Sequence, residues 1–132
     1  MGTSGNVDYA TIQYNADGTL NWAQRYNGPG NGDDIANALA LDAAGNAYIT
    51  GGSADIGTAD DYTTIKYEKN GKLAWLQRYN GTASGIDQAY AIAVDSTGNI
   101  YVTGTSVGGA TSFDMVTVKY GQIGRASCRE RV

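Results

Sequence analysis

The sequence predicts an all-β fold made of repeated four-stranded antiparallel sheets, and three observations carry that expectation. The chain repeats itself: Asp8-Tyr9-Ala10-Thr11-Ile12-Gln13-Tyr14 returns as Asp61-Tyr62-Thr63-Thr64-Ile65-Lys66-Tyr67 and again as Asp114-Met115-Val116-Thr117-Val118-Lys119-Tyr120. This spacing of 53 also maps Trp22 onto Trp75, Asp42 onto Asp95 and Gly51 onto Gly104. A fixed period of this length marks a repeat architecture whose units bury their apolar faces only against neighbours. Within each repeat, four short segments alternate with period 2, the strand signature, and no stretch shows a period of 3.6. Turn dipeptides separate the segments: Asp17-Gly18 and Asn70-Gly71 suit hairpins, and Gly45-Asn46 and Gly98-Asn99 read as turns.

Taken in order, the first strand runs from Asp8 to Tyr14, with Tyr9, Thr11 and Gln13 on one side and Ala10, Ile12 and Tyr14 on the other. The second, Thr19 to Tyr26, puts Leu20, Trp22, Gln24 and Tyr26 on one face. The third, Ile35 to Asp42, alternates Ala36, Ala38 and Ala40 against Leu39 and Leu41. The fourth, Ala47 to Gly51, sets Tyr48 and Thr50 against Ala47 and Ile49. Four antiparallel strands at this period make the blade of a β-propeller. The small face of the third strand, repeated at Ala89, Ala91 and Ala93, suits the crowded axis, so Ile35–Asp42 and Gln88–Asp95 are expected innermost. The bulky Trp22 and Trp75 strands are expected outermost, where blades diverge.

The repeats themselves resemble a known family. Asp42-Ala43-Ala44-Gly45-Asn46-Ala47-Tyr48-Ile49-Thr50-Gly51 and Asp95-Ser96-Thr97-Gly98-Asn99-Ile100-Tyr101-Val102-Thr103-Gly104 are similar to the D-x-x-G-N-x-Y-V-T-G core of the SBBP repeat. Trp75-Leu76-Gln77-Arg78-Tyr79-Asn80-Gly81, followed by Asp87, is similar as well. The resemblance covers Asp8 to Tyr120. It implies a bacterial β-propeller of several blades in a secreted or cell-surface protein, and it implies no particular enzyme activity. Residues 1–120 are then about two blades of a larger ring, with repeats at 8–60 and 61–113 and the start of a third at 114–120. The opening Gly2-Thr3-Ser4 is similar in kind to Gly104-Thr105-Ser106, so both ends are expected to be truncations with neighbouring blades of the same parent chain beyond them. Alone, the chain is expected to expose apolar blade faces and to associate or stay partly unfolded.

The stretch after Tyr120 departs from the pattern. Gln122-Ile123-Gly124-Arg125-Ala126-Ser127-Cys128-Arg129-Glu130-Arg131-Val132 resembles a translated sequencing adapter, so 121–132 is read as a non-native or disordered tail and left out of fold reasoning. That removes the single cysteine, Cys128, and with it any disulfide or thiol chemistry. The chain has 9 basic and 13 acidic residues; without the tail's three Arg and one Glu the formal charge moves from −4 to −6. An acidic surface repels phosphates and argues against nucleic acid. No apolar run is long enough for a membrane span.

Candidate chemistry is thin. Asp8, Asp61 and Asp114, Asp34 and Asp87, and Asp42 and Asp95 recur with the period. A catalytic centre is a single asymmetric constellation, whereas an Asp required in every repeat caps a strand or turn. Arg25 and Arg78 are expected to pair with a repeated Asp or to stay solvated. Asn15-Ala16-Asp17-Gly18 lacks the further acidic ligands of a calcium loop. Asp17-Gly18-Thr19-Leu20-Asn21-Trp22 is only weakly similar to a sialidase Asp box, because its Asp and Gly are adjacent. Gly71-Lys72-Leu73-Ala74-Trp75 is similar to the tryptophan motif of quinoprotein propellers but shows no cofactor ligands. The sequence holds no His, which excludes His-based triads and His metal clusters within it. Val107-Gly108-Gly109-Ala110 lacks the Lys of a phosphate loop. Tyr26, Tyr79 and Tyr90 either stack on ligands or fill gaps between blades.

The long, variable loops Gly28–Asp34, Ser53–Asp60, Gly81–Asp87 and Ser106–Phe113 are expected to share one face, and that face and the central channel are the places to look for a ligand. The expected role is a non-catalytic scaffold or interaction module binding a protein or carbohydrate, with no catalytic, cofactor or metal residues. The alternative is a fragment of a propeller enzyme, a quinoprotein oxidoreductase or a carbohydrate-active protein.

Overall fold

The computed structural model describes residues 5–30, 32–57, 59–81, 85–108 and 113–131, of which 127–131 as backbone only. Gly2-Thr3-Ser4, parts of the four long loops, and Gly109-Ala110 of the glycine-rich stretch lie outside the described residues. Every regular element among the described residues is a strand: β1 Tyr9–Tyr14, β2 Leu20–Tyr26, β3 Asp34–Leu41, β4 Ala47–Ala54, β5 Asp60–Tyr67, β6 Leu73–Tyr79, β7 Asp87–Val94, β8 Ile100–Val107, β9 Phe113–Tyr120 and β10 Ala126–Arg131. β4 outruns its expected end at Gly51, because pairing with β5 continues through Ser53↔Asp61 and Ala54↔Asp60. Two successive glycines hide that continuation from a hydrophobic pattern.

The strands form three antiparallel sheets, β1-β2, β3-β4-β5-β6 and β7-β8-β9-β10. The expected strand order holds: β3 and β7 form one edge of their sheets and lie against each other, while Trp75 on β6 lies at the opposite edge. The sheets, however, are out of phase with the repeats as cut at 8–60 and 61–113, since the β3–β6 sheet takes two strands from each. A periodic sequence has no natural starting point. The blade boundary falls at the β2–β3 and β6–β7 connections, which carry the chain from the outer edge of one sheet to the inner strand of the next.

A β-bulge interrupts β3 between Ala36 and Ala38, and its repeat interrupts β7 between Ala89 and Ala91. The extra residue, Asn37, turns its side chain to the next blade, where Nδ2 donates to the Ala89 carbonyl at 2.8 Å. The bulge also brings β3 so close to β4 that only glycine fits at Gly51, where a Cβ would overlap the Ile35 carbonyl oxygen.

The core lies between sheets. Tyr9, Ala47, Ile49, Ile65 and Tyr67 fill the space between the first and second sheets, with Trp22, Tyr26 and Leu76 packed on them. Tyr48, Tyr62, Tyr79, Ala89, Ile100, Val102, Val116, Val118 and Tyr120 do the same between the second and third. Alternation sorts these groups: Ile49 of β4 looks back to the first sheet while Tyr48 looks forward to the third. Each interface repeats a hydrogen bond, from the Tyr9 hydroxyl to the Thr63 carbonyl and from the Tyr62 hydroxyl to the Val116 carbonyl, both at 3.2 Å.

The stretch after Tyr120 is placed within this architecture. β10 pairs antiparallel with β9 as the outer strand of the third sheet. The turn before it copies the two earlier ones: Gly121 N–H donates to the Arg125 carbonyl as Glu68 N–H does to Lys72, and Gly124 takes φ of +83° where Gly71 takes +88°. Only residues 121–125 need to suit this turn, and a glycine at the left-handed position suffices.

Candidate functional site

The strand directions sort all connections to two ends. The turns after β1, β3, β5, β7 and β9 share one end, and the long connections after β2, β4, β6 and β8 share the other. The expectation that the variable loops emerge together is therefore met by their described residues.

At the tight-turn end, Asp42 organises the β3–β4 turn alone. Its Oδ1 accepts from the Ala44 and Asn46 amides at 3.0 and 2.9 Å, and its Oδ2 from Asn46 Nδ2 and the Tyr48 hydroxyl at 2.8 and 2.9 Å. Asp95 repeats the arrangement with Thr97, Asn99 and Tyr101. This is the physical content of the D-x-x-G-N-x-Y spacing: Asp, Asn and Tyr meet around one hairpin. Partial burial opposes ionisation of Asp42, but the bonds from Asn46, then Tyr48 and Ala44, outweigh it and lower its pKa. The Asn99 and Thr97 bonds hold Asp95 well below the usual carboxylate range. Burial, then the bond to Asp42, pushes the Tyr48 hydroxyl up. A cleft of about 390 Å³ lies between these two turns, with Leu41, Val94 and Gln122 among its lining. The carboxylates beside it are saturated by their own turns and offer no free acid or base. This cleft thus sits on the end opposite the variable loops.

At the loop end Asp34, Asp61 and Asp87 are buried and differently used. Asp34 Oδ2 accepts from the Gly28 amide and Asp87 Oδ2 from the Gly81 amide, both at 2.6 Å. Each closes the connection between blades onto the start of the next inner strand. Asp87 also holds the end of β8 through the Val107 amide at 3.2 Å. Asp61, 1% exposed, lies 3.9 Å from Arg78 Nη2. Arg78 ties four elements together: it donates to Tyr26 of the preceding sheet at 2.6 Å, to Ser53 Oγ and carbonyl at 3.0 and 2.9 Å, and approaches Asp55 at 3.7 Å. Burial pushes the Asp61 carboxyl up to about 6 against the pull of Arg78, with Asp55 and Asp87 adding to the rise. Arg78 is accordingly a partner for the repeated Asp. Its repeat mate Arg25 stands on the half-built first sheet.

The remaining candidates sort by packing. Tyr79 is buried and stacks edge-on against Tyr62 at 5.4 Å, and Tyr26 meets Tyr9 the same way at 5.5 Å, so both fill gaps between blades. Tyr90 is half exposed and bonds Gln88. Asp17 binds Thr19 within its own turn, and no three acidic or thiol side chains converge as metal ligands among the described residues. Sequence reasoning missed Ser53, which Arg78 grips, and the loop-end exposure of Ile56, Ile86 and Phe113. A single apolar residue in a variable loop carries no periodic signal.

Residues 75–109 match the SBBP family model, described as a beta-propeller repeat. The match runs from Trp75 on β6 across β7 and β8, and it contains Arg78, Asp87 and the whole Asp95–Gly104 turn motif. The segment one period earlier, 22–56, carries the same Trp, Asp and Gly positions. No curated protein matches the chain.

Proposed function

We propose that this chain is part of a secreted or cell-surface bacterial β-propeller and acts there as a non-catalytic scaffold that presents variable loops to a protein or carbohydrate. One contrast carries the reading. Asp34, Asp42, Asp61, Asp87 and Asp95 are all engaged by neighbouring amides, hydroxyls or Arg78, whereas the loop end varies between repeats and exposes Ile56 (77%), Phe113 (63%) and Ile86 (47%). Apolar side chains held out on loops by a rigid frame are the ordinary material of a binding surface. Blades of the parent chain on either side would complete the ring and enlarge that surface.

The test uses labelled protein on glycan and peptide arrays, alongside the triple variant Ile56→Ser, Ile86→Ser, Phe113→Ser. Binding to an array member that the triple variant loses at unchanged melting temperature is the expected result. Binding that survives in the triple variant, or turnover of a sugar or alcohol substrate by the wild type, would overturn the reading.

A further inference from the structure

Asp55 is the part of the Arg78 cluster that the repeat does not supply. Asp61 recurs as Asp8 and Asp114, Ser53 as Ser106 and Arg78 as Arg25, but the positions one period either side of Asp55 are Gly2 and Gly108. One blade thus adds a second carboxylate to a repeated ion pair, at the loop end. Asp55 Oδ2 lies 3.7 Å from Arg78 Nε and Asp61 Oδ2 lies 3.9 Å from Nη2, while the other Arg78 bonds go to the neutral Tyr26 and Ser53. The Asp55 and Asp61 side chains also lie in hydrogen-bond contact with each other. Two ionised carboxylates are both acceptors, so that contact needs a proton between them. Asp61 is the holder. Its side chain is 2% exposed against 33% for Asp55, and its Oδ1 receives no hydrogen bond from the described residues. Burying a charge without donors is costly, and protonation removes the cost.

We propose that the Asp61 carboxyl donates this proton to Asp55 as a latch, and that losing it frees Asp55 and the Ile56 backbone it holds, so that acidity sets the state of the loop-end surface. The link is short: Asp55 Oδ1 accepts from the Ile56 amide at 2.7 Å, so the carboxylate that Asp61 holds also fixes the chain at Ile56. Once Asp61 ionises, two carboxylates repel beside one guanidinium. Asp61 is pinned in β5 opposite Ser53, so Asp55, beyond the end of β4, is the one that moves. Of the other groups facing Asp61, Arg78 of β6 favours ionisation and Asp87 of β7 opposes it, while the adjacent Asp60 is engaged by Gln88. Burial raises the Asp61 carboxyl to about 6, so the latch is closed below that pH and open above it. Its use rests on the binding reading above, because Ile56 belongs to that surface; the latch itself does not.

The experiment follows the Asp Cγ and backbone amide signals of the unliganded chain by NMR from about pH 5 to about pH 8. Asp61 Cγ and the Ile56 amide are expected to move together with one midpoint near 6. Asp61→Asn keeps a donor and removes the titration, so the Ile56 amide stays at its acid position throughout. Asp55→Gly, which installs the residue of the next repeat, lowers the Asp61 midpoint by about one pH unit or more. An Asp61 already ionised at about pH 5, as an ordinary carboxyl is, overturns the proposal. So does an Ile56 amide that stays still while Asp61 titrates, or that titrates equally in Asp61→Asn. The readout needs no ligand, so a failure of array binding overturns the scaffold reading and leaves the latch standing.

Discussion

Replacing Gly51 by Ala tests the close approach of β3 and β4 at the propeller's inner edge. Gly51 pairs with Ala36 beside the bulge, and its φ is not in the left-handed region, so its requirement is space alone. A Cβ there would overlap the Ile35 carbonyl oxygen and stand 2.8 Å from the Tyr9 hydroxyl. An ordinary carbon–oxygen contact is about 3.3 Å, so the carbonyl must withdraw by roughly 1 Å or more. Overpacking of this kind costs about 1–3 kcal/mol. The withdrawal also weakens strand pairing and displaces the Tyr9 hydroxyl from Thr63, at about 1 kcal/mol per bond lost. The expected total is about 3–5 kcal/mol, a large share of the roughly 5–15 kcal/mol that holds a domain folded. Gly52 is the internal control: its Cβ would meet Gln88 Cγ at 3.0 Å, the middle of a flexible side chain that can give way. Gly52→Ala is expected to stay within about 1 kcal/mol of wild type. Urea unfolding followed by Trp22 and Trp75 fluorescence, at equal slope, measures both. Equal midpoints for the two variants would refute the close-approach argument.

Two further predictions concern pH. Asp42 and Asp95 have lowered pKa values in the folded chain, so they contribute stability above the ordinary carboxylate pKa of 3.8 that is lost as pH falls through their folded values. Asp95→Ala should therefore flatten the acid limb of the stability curve below about pH 4 and speed amide exchange at Thr97 and Asn99, as hydrogen-exchange NMR will read; an unchanged limb counts against the turn assignment. Asp61 works in the opposite direction. Its folded pKa is raised to about 6, so its contribution is fully present below the unfolded value and fades as pH rises through about 6. Melting temperature should fall by less between pH 4 and 7 in Asp61→Asn than in wild type, and identical profiles would remove Asp61 from the account.

The strands, their order across a sheet, and the gathering of tight turns at one end were all legible in the sequence. Each depends on local chemistry: period-2 alternation, a glycine with positive φ at the hairpin, and an Asp whose carboxylate reaches amides two and four residues ahead. The repeated Asp42 and Asp95 could be assigned to turns on spacing alone for that reason. Tertiary structure decided what crosses between sheets. The blade phase, the Asn37 bulge, the meeting of Arg78 with Tyr26, Ser53 and Asp61, and the Tyr-to-carbonyl bonds between blades all join residues about 17 to 54 positions apart. So did the placement of β10, since pairing with β9 is a backbone interaction that asks little of side-chain identity. Period and alternation say which residues share a face; only the stacking of sheets says which face each one meets.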